Sequence, residues 1–111
     1  MRKSSKGTVP ADTSRRDPDR APTHPGAILR EDVLPTTGKT KVEIASLLGI
    51  SRQTLYDILS EKQAVTPAIA VRLGKLFGNG PDIWLGLQQA RDLWEAQRTI
   101  DVSAIPTLDA A

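Results

Sequence analysis

Residues 40–60, TKVEIASLLGISRQTLYDILS, constrain this chain more tightly than any other stretch. Thr40 followed three residues on by Glu43 is a capping box, so a helix starts there. Ile44, Ala45, Leu47 and Leu48 give that helix an apolar face. Gly49 stops it and supplies the backbone freedom a sharp turn needs. Ser51 caps a second helix, in which Leu55, Ile58 and Leu59 recur at helical spacing. The window is therefore two short helices held at a tight turn by apolar contacts among Ile44, Leu48, Ile50, Leu55 and Ile58.

That layout is the helix-turn-helix, whose second helix is offered to the major groove of DNA. Ala45 is the small residue the crossing requires. At about 100° per residue, with Leu55 pointing inward, Gln53, Tyr56, Asp57 and Ser60 point outward, and Arg52 and Thr54 flank the leading end. Gln53 can pair twice with an adenine edge, and Arg52 with guanine or a phosphate. Tyr56 reaches a phosphate or a thymine methyl, or else forms a half-buried core rim. Ser51 caps a helix whose free N–H groups suit a phosphate. Asp57 accepts either from Gln53, four residues earlier, or from a cytosine amine; the first is the favoured reading. Lys39 and Lys41 at the start of the first helix, and Lys62 and Gln63 after the second, are candidate phosphate contacts. The expected DNA-binding set is Lys41, Ser51, Arg52, Gln53, Thr54, Tyr56, Lys62 and Gln63.

Around this core the sequence predicts an all-α domain of five helices over residues 23–98. Pro25 opens the first, with Ile28, Leu29 and Val33 inward and Pro35 and Gly38 ending it. Thr66-Pro67 caps the fourth, which carries Ile69, Leu73, Leu76 and Phe77 to Gly78. Pro81 opens the fifth, where Ile83, Leu87, Ala90 and Trp94 make the expected stripe. Residues 1–22 hold six basic and three acidic side chains and few apolar ones. They are expected to be a disordered basic leader, either an arm that finds phosphates or a solvated segment. Residues 99–111 read as a flexible tail.

The rest of the composition excludes more than it assigns. With no cysteine there is neither a disulfide nor a thiolate site, and the default compartment is the cytoplasm. No apolar run approaches a membrane span. His24, the lone histidine, precedes a proline at a helix entrance and has no companions for a metal site or a triad. Gly78-Asn79-Gly80 is a helix break, not a phosphate cradle. No catalysis, metal or cofactor is expected.

The stretches HPGAILRED, EIASLLGISRQTLYDIL, VTPAIAVRLGKLFG and PDIWLGLQ together resemble the HigA-type antitoxins, a branch of the phage-repressor-like helix-turn-helix proteins. The likeness spans roughly residues 24–95. It implies a homodimer that represses its own operon by binding double-stranded operator DNA. It also implies neutralisation of a small RelE-like ribonuclease toxin that cleaves mRNA on the ribosome. The alternative is a stand-alone regulator without a toxin partner. Where the family often has Asn-Gly after the recognition helix, this chain has Ser60-Glu61, so that helix is expected to leave differently. The domain carries nine basic and eight acidic side chains over 23–98, too balanced for bulk attraction to a basic toxin. A local surface must serve: Glu31 and Asp32, or Asp82, Asp92 and Glu95 with the tryptophans. Of Trp84 and Trp94, one is expected in the core and the other, Trp94 for preference, at a dimer or toxin interface.

Overall fold

The computed structural model describes residues 19–109, and among these every regular element is helical. The described residues form five helices. Helix α1 covers residues 25–37, α2 Lys41–Leu48, α3 Arg52–Leu59, α4 Pro67–Phe77 and α5 Pro81–Thr99. Most of the expected leader lies outside the described residues.

Local chemistry sets each boundary. His24 caps α1 through its own side chain: Nδ1 accepts the Gly26 N–H at 2.9 Å. Pro25 then sits at the first helical position, where its missing N–H costs nothing. Helix α1 is not uniform, since Leu29–Val33 winds as a π-turn between two α-helical turns. Pro35 comes two residues after that turn, and an ordinary turn would press its ring against a carbonyl four residues back. The chain thus passes Pro35 and stops at Gly38, which caps in the left-handed conformation.

Thr40 and Glu43 exchange both bonds of the capping box, at 2.8 and 3.1 Å. Helix α2 ends at left-handed Gly49. Ser51 Oγ accepts the Thr54 N–H at 3.0 Å and starts α3. Thr66 does the same for α4, which closes at left-handed Gly78.

The core gathers one face of every helix. Leu29 and Leu34 come from α1, Ile44, Ala45 and Leu48 from α2, and Leu55, Ile58 and Leu59 from α3. Val65, Ile69, Ala70, Leu73 and Trp84 complete it. Burying each large aliphatic side chain stabilises the fold by about 1.5–3 kcal/mol. Ile28, Val33 and Ile50 pack at its edge, half-buried.

Two expected faces are corrected. Leu47 is 56% exposed and does not join the apolar face of α2. In α5 the inward stripe is shifted by one residue: Trp84 is 2% exposed, whereas Ile83 is 52% exposed and Ala90 faces solvent. The reason is polar as well as apolar. Trp84 stacks obliquely on Phe77 at 6.2 Å and donates its indole N–H to Asn79. Gln88, one turn on, is buried because its Oε1 accepts the Val65 N–H at 2.8 Å. These two bonds fix the rotation of α5.

The described end of the leader lies along α5. Arg91 donates to the Pro22 carbonyl at 3.2 Å, and Arg98 pairs with Asp19 at 3.2 Å. Beyond α5, residues 100–109 are exposed throughout.

Candidate nucleic-acid interface

Helix α3 buries Leu55, Ile58 and Leu59 and so turns its other side outward. Ser51, Arg52, Gln53 and Ser60 are exposed, and Tyr56 is 42% exposed. Thr54 is half-buried because its hydroxyl accepts from Ser51 at 2.8 Å. Gln53 Nε2 donates to Asp57 Oδ1 at 2.8 Å, the partner favoured for Asp57 on spacing. That bond leaves the Gln53 carbonyl oxygen and one N–H outward, and it places Asp57 half-buried rather than fully outward.

The surrounding cations split into two groups. Lys41, at the start of α2, shares a hollow of about 490 Å³ with Tyr56, Ser60 and Arg30. Lys62 and Gln63 stand elsewhere, on a polar cleft shared with His24, Gln88 and Arg91. Their backbone N–H groups both return to the Asp57 carbonyl, at 2.8 and 3.1 Å, which folds the loop back on α3.

Three further residues hold this edge in place, and two of them, Arg30 and Arg72, carry no local sequence signal. Arg30, on α1, donates to the Leu59 carbonyl at 2.5 Å and so closes the C-terminal end of α3. Arg72, on α4, donates to the Leu48 carbonyl at 2.8 Å and closes α2. Gly49 is required there twice over, since a Cβ would lie 2.6 Å from the Arg72 guanidinium. Glu61 is the third: its φ of 67° is the left-handed conformation that glycine or asparagine adopts at lower cost. Its carboxylate reaches Arg30 at 3.5 Å and Arg91 at 3.8 Å.

Behind α3 the packing is closer still. Gly26 meets the last turn of α3 so tightly that a Cβ would run into the Ile58 carbonyl. The His-Pro-Gly opening therefore has three separate physical roles: cap, first helical residue and backbone crossing. Burial pushes the His24 imidazole below its ordinary value, and Glu61 nearby works against that shift.

Among the described residues no group of three His, Cys, Asp or Glu is placed to hold a metal ion. No described helix is long and apolar enough to cross a membrane. Trp84 is in the core, so it is withdrawn from the expected interface pair. Trp94 is half-buried, with the Arg98 guanidinium 4.2 Å above its ring.

An all-helical domain that exposes one capped edge of its second motif helix is a helix-turn-helix domain. The family model described as "Helix-turn-helix" matches residues 37–84. An uncharacterized HTH-type transcriptional regulator, YddM of Escherichia coli (strain K12), is 37% identical over 76% of this chain and 88% of its own length. Antitoxin HigA-1 of Vibrio cholerae is 30% identical over 74% of this chain and 77% of its own. The solved structure of antitoxin GraA in complex with its operator superposes with a TM-score of 0.75 at 33% identity, covering 82% of this chain and 95% of that one. The chain belongs to the helix-turn-helix family, in its HigA-type antitoxin branch.

Proposed function

We propose that this protein is an operator-binding antitoxin. It represses its own operon as a homodimer and neutralises a small RelE-like ribonuclease that cleaves mRNA, acting in the cytoplasm. The observation that carries the reading is the outward edge of α3. Arg52, Gln53 and Tyr56 are exposed together on a helix fixed at both ends, by Ser51 in front and Arg30 behind. A helix held in this way delivers base-reading side chains to the major groove in a set register. The GraA relative is solved on its operator with the same fold, which supports DNA as the partner.

In this reading Arg52 and Gln53 touch base edges. Ser51, Lys41 and Tyr56 meet phosphates on one flank, and Lys62 and Gln63 on the other. Half-sites lie one helical turn apart, about 34 Å. Toxin neutralisation uses a surface away from α3. Of the acids considered for it, Glu31, Asp92 and Glu95 are already bonded to Arg30, Gln88 and Arg91. The exposed acids Asp32 and Asp82, with Trp94 beneath Arg98, are the proposed contacts for the toxin.

Co-purification with the product of the adjacent small open reading frame tests the reading. A ribonuclease that is toxic alone and harmless with this chain supports it. A neighbour that neither co-purifies nor harms the cell overturns the antitoxin half. The second reading, a stand-alone regulator, is favoured by relatives such as YddM, which is described as a transcriptional regulator. It predicts operator binding with no toxin partner.

A further inference from the structure

Among the described residues, nothing covers two exposed apolar surfaces, and their charges are opposite. The first is a groove between α2 and α4. Leu47, Val71 and Leu76 line a hollow of about 340 Å³ rimmed by Arg72 and Lys75. A second hollow shares Leu47 and extends to Val42 and Lys39. Leu47, Val71 and Val42 are all exposed. The groove's single acid, Glu43, is engaged with the Thr40 backbone.

The second surface is the segment after α5. Ile100, Val102, Ile105 and Leu108 are all exposed, although nothing in a solvated tail calls for four large aliphatic residues in nine. Residues 100–109 carry Asp101 and Asp109 and no cation. The segment is not helical: Ile100 is extended, and a turn closes from Val102 to Ile105. An acidic, apolar segment with a turn at its centre complements a basic, apolar groove in sign and in apolar character.

We infer that the C-terminal segment 100–109 of one copy docks in the α2–α4 groove of a second copy. Two such contacts related by a two-fold axis close a dimer. Geometry favours exchange over self-docking. Lys75 and Leu76 stand beside the α4–α5 turn, and α5 carries the tail about 28 Å from that turn at 1.5 Å per residue. A chain's own tail must double back along the whole helix to reach its groove, whereas a second copy's tail is free of that constraint. The groove shares no residue with the outward edge of α3, so the contact leaves that edge open. This inference deepens the homodimer proposed above by naming its contact.

The chain has no cysteine, so each introduced thiol reports only its own neighbours. Full-length Val71→Cys protein is mixed with affinity-tagged Ile105→Cys protein and left to oxidise in air. The expected product is a disulfide joining one copy of each. Ile105→Cys copies joined to one another, or no mixed product, overturn the inference. So does a Val71→Cys/Ile105→Cys double variant that closes within a single chain. A Val71→Cys thiol that stays open to alkylation until another protein is added assigns the groove to that protein instead. Lys75→Glu, which changes charge on an exposed site, is expected to weaken self-association about ten-fold; an unchanged dissociation constant counts against the groove. Sedimentation of the unmodified chain separates the two claims. A dimer without the mixed cross-link removes the groove contact alone, whereas a monomer removes both.

Discussion

Arg72 donates from Nη1 to the Leu48 carbonyl at 2.8 Å, so an arginine of α4 closes the first helix of the motif. The same guanidinium fills the space beside Gly49, where the chain turns toward α3. The angle at which α3 leaves that turn is thereby tied to a helix that itself takes no part in the motif.

Arg72→Ala returns the Leu48 carbonyl to water. The bond is partly exposed, so the expected loss of stability is about 1 kcal/mol, read from urea denaturation. Operator affinity should fall as well, although the protein remains folded. A folded variant that binds operator as tightly as the parent would show that Arg72 does not position the motif.

Arg52 and Gln53 differ from Lys62 in what they can lose. Arg52→Ala or Gln53→Ala is expected to cost about 1–3 kcal/mol of operator binding and to relax one base position. Lys62→Ala should weaken all sequences evenly and lower the salt slope by about one. Binding titrations on a panel of single-base operator variants at several salt concentrations distinguish the two patterns. Even loss for Gln53→Ala would reassign it to a phosphate.

Glu61 sets backbone strain against two ion pairs. Both pairs are partly exposed and screened by solvent, so they contribute little, while the left-handed backbone costs about 1–2 kcal/mol in a residue with a Cβ. Glu61→Gly removes the strain and the pairs; Glu61→Ala removes only the pairs. Thermal melts should therefore place Glu61→Gly above Glu61→Ala by about 1 kcal/mol. Equal melting points would mean that the loop relaxes out of the left-handed region.

His24 titrates in the sense set by its burial. Its folded pKa is depressed below the ordinary value of 6.5, so the unfolded chain binds the proton more readily. The stabilisation is complete above pH 6.5 and is lost as pH falls through that value toward the lower folded pKa. Protonation also removes the Nδ1 lone pair that accepts the Gly26 N–H. Asparagine can cap without titrating, so His24→Asn should flatten stability between pH 7.5 and 5.5. A wild-type melting temperature that is constant over that range would exclude the linkage.

The local grammar of the fold was legible in the sequence. The Thr40–Glu43 box, the Ser51 and Thr66 caps and the glycine at 49 each act on residues three or four positions away, within reach of a pattern. The rotation of α5 was not legible. Ile83 and Trp84 are both apolar neighbours, and the choice between them is made by Asn79 and the Val65 N–H, which spacing does not reveal. Arg30 and Arg72 were missed for the same reason, since each bonds a carbonyl more than 20 residues distant in the chain. Glu61 left a trace only as a departure from the family's Asn-Gly. The outward set on α3 was readable because one buried residue, Leu55, fixes the rotation of a short helix.

Backbone meets backbone where Gly26 crosses the last turn of α3, with no side chain between them to give way. A joint of that kind has no slack, so α1 and the helix in front of it must travel as one rigid piece. Whatever seizes the protein from the side of its first helix takes hold of its reading head as well.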